Sequence, residues 1–203
     1  MNRNKSEEPK TFTDLLRRIF KKLLDHIAGI LNKIGIKPNF VTIAGLIGNL
    51  IAGVFIASGM LLWGGIIALI AGPFDALDGA IARLRGEDGF YGAFVDSVTD
   101  RYSEIVLYGG LLVYFNQNGN WGDALLVFFS AIGSILVSYT RARAEALGYT
   151  AKIGLLTRVE RYLILIPGMI IGYPRIALWI LAILTNFTAL QRILYVRKQS
   201  REN

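Results

Sequence analysis

Four aspartates carry most of the chemical information in this chain: Asp75 and Asp78, three residues apart, then Asp96 and Asp100, four apart. On a helix either spacing puts both carboxylates on one face. Only the short connection RLRGEDGFY joins the two helices that carry them. Two successive antiparallel helices would therefore bring them face to face near one end. The acids lie inside or beside strongly apolar segments. One aspartate at mid-span costs about 2.5–3.5 kcal/mol and four on the order of 10 kcal/mol, less near the interface. Hard divalent cations offset such a cost. Two Mg²⁺ ions balance four carboxylates, and Mg²⁺ takes oxygen ligands, usually a few carboxylates plus a substrate phosphate. Mn²⁺ suits the same donors. Two ions in one site can activate a nucleophile and stabilise a leaving phosphate, and facing helices are a common frame for metal sites. Salt bridges to the nearby Arg83 would leave four acids against one cation. Gly79, Ala80, Ala82 and Gly92 add only small side chains beside the acids, which leaves room for a ligand.

The segments that must position these acids are built for lipid. Of 203 residues, 53% are hydrophobic, and the mean hydropathy is +0.45. Apolar runs of about 20 residues recur, the length that crosses the hydrocarbon layer as a helix. The expected fold is all-α: a polytopic membrane protein, one domain over residues 1–203. Six spans are read, at about Phe40–Ser58, Leu62–Leu84, Tyr91–Phe115, Asp123–Leu147, Leu155–Ile171 and Pro174–Val196. They form a bundle over about residues 40–197 with no internal repeat and no broken helix. Paired glycines within the spans (Gly45 and Gly48, Gly64 and Gly65, Gly109 and Gly110, Gly168 and Gly172) point to close helix packing. Ahead of them, about residues 11–36 alternate apolar and basic residues at helical spacing. Phe12, Leu15, Leu16, Ile19, Leu23, Ile27, Ile30 and Leu31 can share one face, the pattern of a helix lying in the membrane interface. Met1 to Lys37 lacks the compact apolar core of a signal peptide.

The net charge is +7. Basic residues crowd the ends of apolar runs, which fits anionic headgroups and topology and not nucleic acid. The basic loops stay cytoplasmic, so both termini and the acids are expected on the cytoplasmic side of the cell membrane. With no cysteine, thiolate chemistry is excluded. The single histidine, His26, falls in the amphipathic segment and reads as a surface residue, which leaves carboxylates as the acid–base groups.

The string Asp75-x-x-Asp78-Gly79-x-x-Ala82-Arg83, an eight-residue spacer, then Gly92-x-x-x-Asp96-x-x-x-Asp100 resembles the signature of the CDP-alcohol phosphotransferases. Every signature position is matched, and the expected spans extend the likeness over nearly the whole chain. The resemblance implies transfer of a phosphatidyl or related lipid phosphoryl group from a CDP-linked lipid such as CDP-diacylglycerol to an alcohol, with release of CMP. It implies Asp75, Asp78 and Asp96 as metal ligands. Asp100 would contact the metal site and act as the base for the acceptor hydroxyl. Gly79, Ala82 and Arg83 would line the CDP site, with Gly89 and Gly92 beside it. Asn39 and Thr42, in PNFVT, match another nucleotide-contacting stretch. A homodimer is also implied.

A second basic set bears on the acceptor: Arg141 and Arg143 in SYTRARAE, Arg158 and Arg161 in TRVERY, Arg192 and Arg197 in LQRILYVR. Guanidinium groups from separate helices could converge on a phosphate monoester, which arginine binds bidentately. Glu145 and Glu160 are their expected structural partners, and Arg143 and Arg197 are assigned to topology. SYTRARAE, the ER pair and QRIL resemble the phosphatidylinositol-phosphate synthase branch, where Arg141, Arg161 and Arg192 would hold the phosphate of inositol phosphate. Many members have Lys where Arg141 stands, so the charge survives. The rival acceptor is glycerol 3-phosphate, as in phosphatidylglycerophosphate synthases. A rival of another class is a cation transporter, because intramembrane acids also mark ion pathways.

Overall fold

The structure, a computed structural model, describes residues 12–87, 89–151 and 153–202, with side chains from residue 20 to residue 201. Eight helices and no strand are present among the described residues: α1 Phe12–Lys33, α2 Pro38–Ala57, α3 Leu61–Ala71, α4 Phe74–Arg85, α5 Phe90–Gln117, α6 Trp121–Ala146, α7 Arg158–Ile170 and α8 Pro174–Glu202. The helix ends follow local chemistry. Pro38 opens α2, where a missing N–H costs nothing. Gly86 closes α4 at φ 65°, and the Glu87 N–H reaches back to the Ala82 carbonyl at 2.9 Å, a left-handed C-cap.

α2 sits at the centre and packs on α3, α4 and α5. Glycine makes its contact with α5 possible: a Cβ on Gly110 would stand 2.5 Å from the Gly53 carbonyl oxygen. α6 pairs with α8 and α5, and α7 lies against α3 and α8. One face of α2 buries Val41, Gly45, Asn49, Ala52, Gly53 and Ile56, while Phe40, Ile43, Ile47, Ile51 and Val54 are exposed on the other. A helix apolar on both faces has lipid for its solvent, and the chain is a membrane protein. Four helical stretches are long and apolar enough to cross a bilayer: Pro38–Ala57, Leu61–Arg85, Trp121–Ala146 and Pro174–Arg201.

Several expectations change. The second span is not one continuous helix but breaks at Gly72–Pro73 between α3 and α4. Pro73 has no N–H to continue the ladder, and its ring crowds the preceding turn. The fifth expected span begins too early. Leu155 to Thr157 are not helical, and Gly154 takes φ 122°. The helix that follows has 13 residues, about 20 Å against the roughly 30 Å of hydrocarbon. The sixth span runs on to Glu202.

The amphipathic segment forms α1. Residue 11, its expected start, and the side chains of Phe12, Leu15, Leu16 and Ile19 lie outside the described residues. Of the remaining face, Ile27 and Leu31 join Leu24, Ala28 and Ile36 against Val41, Leu77, Ala80 and Ile81. Leu23 and Ile30 are exposed instead. The buried stripe is rotated toward α4, onto which Arg85 also fastens α1 through the Asn32 side-chain oxygen at 2.7 Å.

Candidate active site

Three packed elements assemble the carboxylates. Asp75 lies in the first turn of α4 and Asp78 one turn on. Asp96 and Asp100 lie in the first half of α5. Carboxylate oxygens of Asp75, Asp78 and Asp96 lie within 4.8 Å of one another. The direct pairing of α4 with α5 expected from the short connection gives way to packing of both helices on α2, which brings the two acid pairs together. Asp78 is buried and accepts a hydrogen bond from the Thr42 hydroxyl of α2. Asp75 Oδ1 and Asp96 Oδ1 are buried and find no hydrogen-bond donor among the described residues. Buried carboxylate oxygens without a donor are costly. A hard cation coordinated by them supplies the missing partner, so the donor set fits a divalent metal.

Asp100 stands beside this trio. Its Oδ1 is 2.6 Å from Arg158 Nη1, and its Oδ2 has Arg101 Nη1 at 3.6 Å. Arg158 Nη1 also lies 2.7 Å from Asp75 Oδ2. The arginine that enters the cluster is thus Arg158, from α7, and not Arg83. Arg83 is exposed and forms no ion pair among the described residues. Its Nη1 runs past Gly79, 3.4 Å from where a Cβ would be. Thr42, Asn49, Asp75, Asp78, Asp100 and Arg158 border a cavity of about 20 Å³, room for one water-sized group.

The remaining expected nucleotide contacts lie around the same end of the bundle. Asn39 is exposed in the first turn of α2, and Ala82 is half-buried on α4. Gly89 precedes the first turn of α5, and Gly92 lies within it. No heavy atom stands within 4 Å of a Cβ placed on either glycine. The edge beside Asp96 is therefore open, as the run of small residues implies.

The three arginines expected at an acceptor site, Arg141, Arg161 and Arg192, come from α6, α7 and α8. Arg161 is fully buried. Its Nε and Nη2 reach the two oxygens of Glu104 at 2.7 and 2.8 Å, and Nη2 is 3.4 Å from Ser138 Oγ. Arg192 is buried too. It donates to the Ile153 carbonyl at 2.8 Å and to the Val137 carbonyl. Arg141 pairs with Glu145 at 2.9 Å, as expected. Glu160 accepts from Thr157, and the acid on Arg161 is Glu104. Arg192 lies within electrostatic range of both Arg141 and Arg161. The three guanidinium groups therefore share one region, in which Arg161 is paired with Glu104 and Arg141 with Glu145. Arg143 and Arg197 are exposed.

Arg158 and Glu104 are the residues that sequence reasoning leaves without a role. The only local signal is a matched spacing: Arg158 and Arg161 are three apart on α7, and Asp100 and Glu104 are four apart on α5. Both spacings put like residues on one helix face, so the two pairs form successive rungs.

The model of the CDP-alcohol phosphatidyltransferase family matches residues 36–190. A phosphatidylinositol phosphate synthase from Mycobacteroides abscessus is 36% identical over 90% of this chain and 87% of its own length. Among solved structures, the Mycobacterium tuberculosis phosphatidylinositol phosphate synthase with CDP-DAG bound superposes with a TM-score of 0.81 at 28% identity, covering 86% of this chain and 94% of that one. The same enzyme in complex with manganese and citrate gives 0.81 at 29% identity, over 85% and 88% of the two chains.

Proposed function

The chain belongs to the CDP-alcohol phosphatidyltransferase family, and from that premise we propose that it transfers a phosphatidyl group from CDP-diacylglycerol to inositol phosphate, releasing CMP and forming phosphatidylinositol phosphate. One observation carries the reading. A carboxylate trio with two donor-less buried oxygens stands one turn of α7 from a group of three arginines. The first arrangement fits a cation-held diphosphate and the second a phosphate-bearing acceptor.

Asp75, Asp78 and Asp96 would hold the divalent cations, with Asp100 beside them; two Mg²⁺ ions, or Mn²⁺, match the charge. A bound cation supplies charge neutralisation on the diphosphate and on the departing CMP. Thr42 fixes the Asp78 carboxylate. Asn39, Gly79, Ala82, Arg83, Gly89 and Gly92 would border the CDP moiety, the glycines by leaving space. Asp100 Oδ2 takes the proton of the acceptor hydroxyl. The freed oxygen forms a bond to the lipid-side phosphorus while the bond from that phosphorus to the CMP oxygen breaks. Arg141, Arg161 and Arg192 would bind the acceptor's phosphate and set the distance of its hydroxyl from Asp100. With α5 and the short α7 added to the four apolar stretches the chain would cross six times, so both termini would share one side, and the basic loops would make that side, with the site, cytoplasmic. A homodimer follows from the family likeness.

The acceptor is tested by supplying purified protein with CDP-diacylglycerol, divalent cation and either inositol phosphate or glycerol 3-phosphate, and identifying the lipid by mass spectrometry. Phosphatidylinositol phosphate is expected. Phosphatidylglycerophosphate as the main product would transfer the arginine site to glycerol 3-phosphate. The relatives named phosphatidylinositol phosphate synthase support the first outcome.

A further inference from the structure

α7 packs on α3 and α8, yet its first turn reaches across to α4 and α5 through Arg158. One nitrogen, Nη1, is 2.7 Å from Asp75 Oδ2 and 2.6 Å from Asp100 Oδ1. The guanidinium carbon stands 5.9 Å from the centre of the Tyr162 ring. The Tyr162 hydroxyl in turn donates to Asn49 Oδ1 of α2, whose amide donates to the Gly45 carbonyl at 2.9 Å. The guanidinium thus meets groups of α4, α5 and α7, and Tyr162 ties it through Asn49 to α2. Each of its two carboxylates gives it one oxygen and keeps the other. The oxygens kept are Asp75 Oδ1, which has no donor among the described residues, and Asp100 Oδ2, which has Arg101 at 3.6 Å. Arginine stays charged at any working pH, so the cluster carries a permanent internal cation.

We propose that Arg158 is a positioning residue of the transfer reaction. It holds one oxygen each of Asp75 and Asp100, turns the other toward the cation and the acceptor hydroxyl, and by its charge restrains the cluster's affinity for divalent ions. The proposal rests on the reading of the cluster as a metal and base site. It has a consequence that a purely structural arginine lacks: binding and turnover change in opposite directions when it is removed. Loss of the charge frees Asp75 Oδ2 and removes a repulsion, so a metal ion binds more tightly. Loss of the anchor lets Asp100 swing, so transfer slows.

The test measures Mn²⁺ binding to the full chain in detergent by electron paramagnetic resonance, without substrates, and then turnover at saturating Mn²⁺. For Arg158→Gln, Mn²⁺ affinity should rise about tenfold, since a like charge a few Å away has been removed. Turnover should fall on the order of a hundredfold or more, with both KM values changed far less than kcat. Arg158→Lys keeps the charge and should bind Mn²⁺ like the wild type. Its shorter reach to two carboxylates should cost about tenfold in turnover. Weaker Mn²⁺ binding in the Gln variant, or undiminished turnover in either variant, overturns the proposal. If the Gln chain does not fold, the Lys variant decides: altered Mn²⁺ affinity or wild-type turnover refutes the role. Wild-type protein that binds no Mn²⁺, or Asp96→Asn protein that binds it equally well, instead refutes the metal reading of the cluster and this proposal with it.

Discussion

Asp75, Asp78, Asp96 and Asp100 share one end of the bundle but have different partners. Asp78 is buried under the Thr42 hydroxyl, Asp96 keeps a donor-less oxygen, and Asp75 and Asp100 each give one oxygen to Arg158. That division assigns them different work. Asp100 lies outside the carboxylate trio and its Oδ2 meets Arg101 only at 3.6 Å, so Asp100→Asn should retain CDP-lipid binding within a few-fold. Turnover should drop about 10²–10⁴-fold, the usual worth of a positioned base. Single-turnover kinetics beside a binding assay reads the two apart. A loss of CDP-lipid binding equal to the loss of turnover would make Asp100 a ligand of the donor and not the base. The acids are legible in the sequence because three- and four-residue spacings are local facts about one helix. Arg158 is 83 positions from Asp75, and Arg161 is 57 from Glu104. The matched spacings on α5 and α7 hint at rungs but do not say which helices meet, and only the docking of α7 brings the partners together.

At the scale of elements, the site is as rigid as the packing of α2 against α4 and α5. Gly53 and Gly110 let two backbones touch, and the register of α5 against α2 carries Asp96 and Asp100 into place. Gly110→Ala puts a methyl group against the Gly53 carbonyl oxygen, so it should destabilise the fold by about 1–3 kcal/mol. Thermal unfolding in detergent should show a lower Tm, and divalent-cation affinity should fall in the chain that still folds. An unchanged Tm would mean that α5 has slack along this seam. The helices themselves are visible in the apolar runs. The break at Gly72–Pro73 is signalled by the proline but masked by the apolar run before it and the helical acid spacing after it. The segment after α6 is less legible, because tertiary contacts shape it. Gln199 of α8 binds Thr150 through its backbone N–H at 3.2 Å and its carbonyl at 2.6 Å. Arg192 holds the Ile153 carbonyl. Gly154 adopts φ 122°, where a Cβ would strike Thr188. Long-range pinning of this kind leaves no periodicity to read.

For the whole molecule, composition and charge placement predict a lipid-solvated bundle, and the exposed apolar faces agree. α5 and α7 are not among the four stretches long and apolar enough to cross a bilayer: α5 carries acids that lower its hydropathy, and α7 has only 13 residues. Charge is distributed in two adjoining regions at one end: carboxylates between α4 and α5, arginines among α6, α7 and α8, with α7 contributing to both. A transfer that needs a cation-bound diphosphate and a phosphate-bearing alcohol at once uses both regions. The most direct test is CMP release from CDP-diacylglycerol in detergent, measured with and without divalent cation and with and without inositol phosphate, for the wild type and Asp96→Asn. CMP should appear only when cation and inositol phosphate are both present, and Asp96→Asn should reduce it at least about a hundredfold. Release that persists in excess chelator, or at the wild-type rate from Asp96→Asn, would contradict the account.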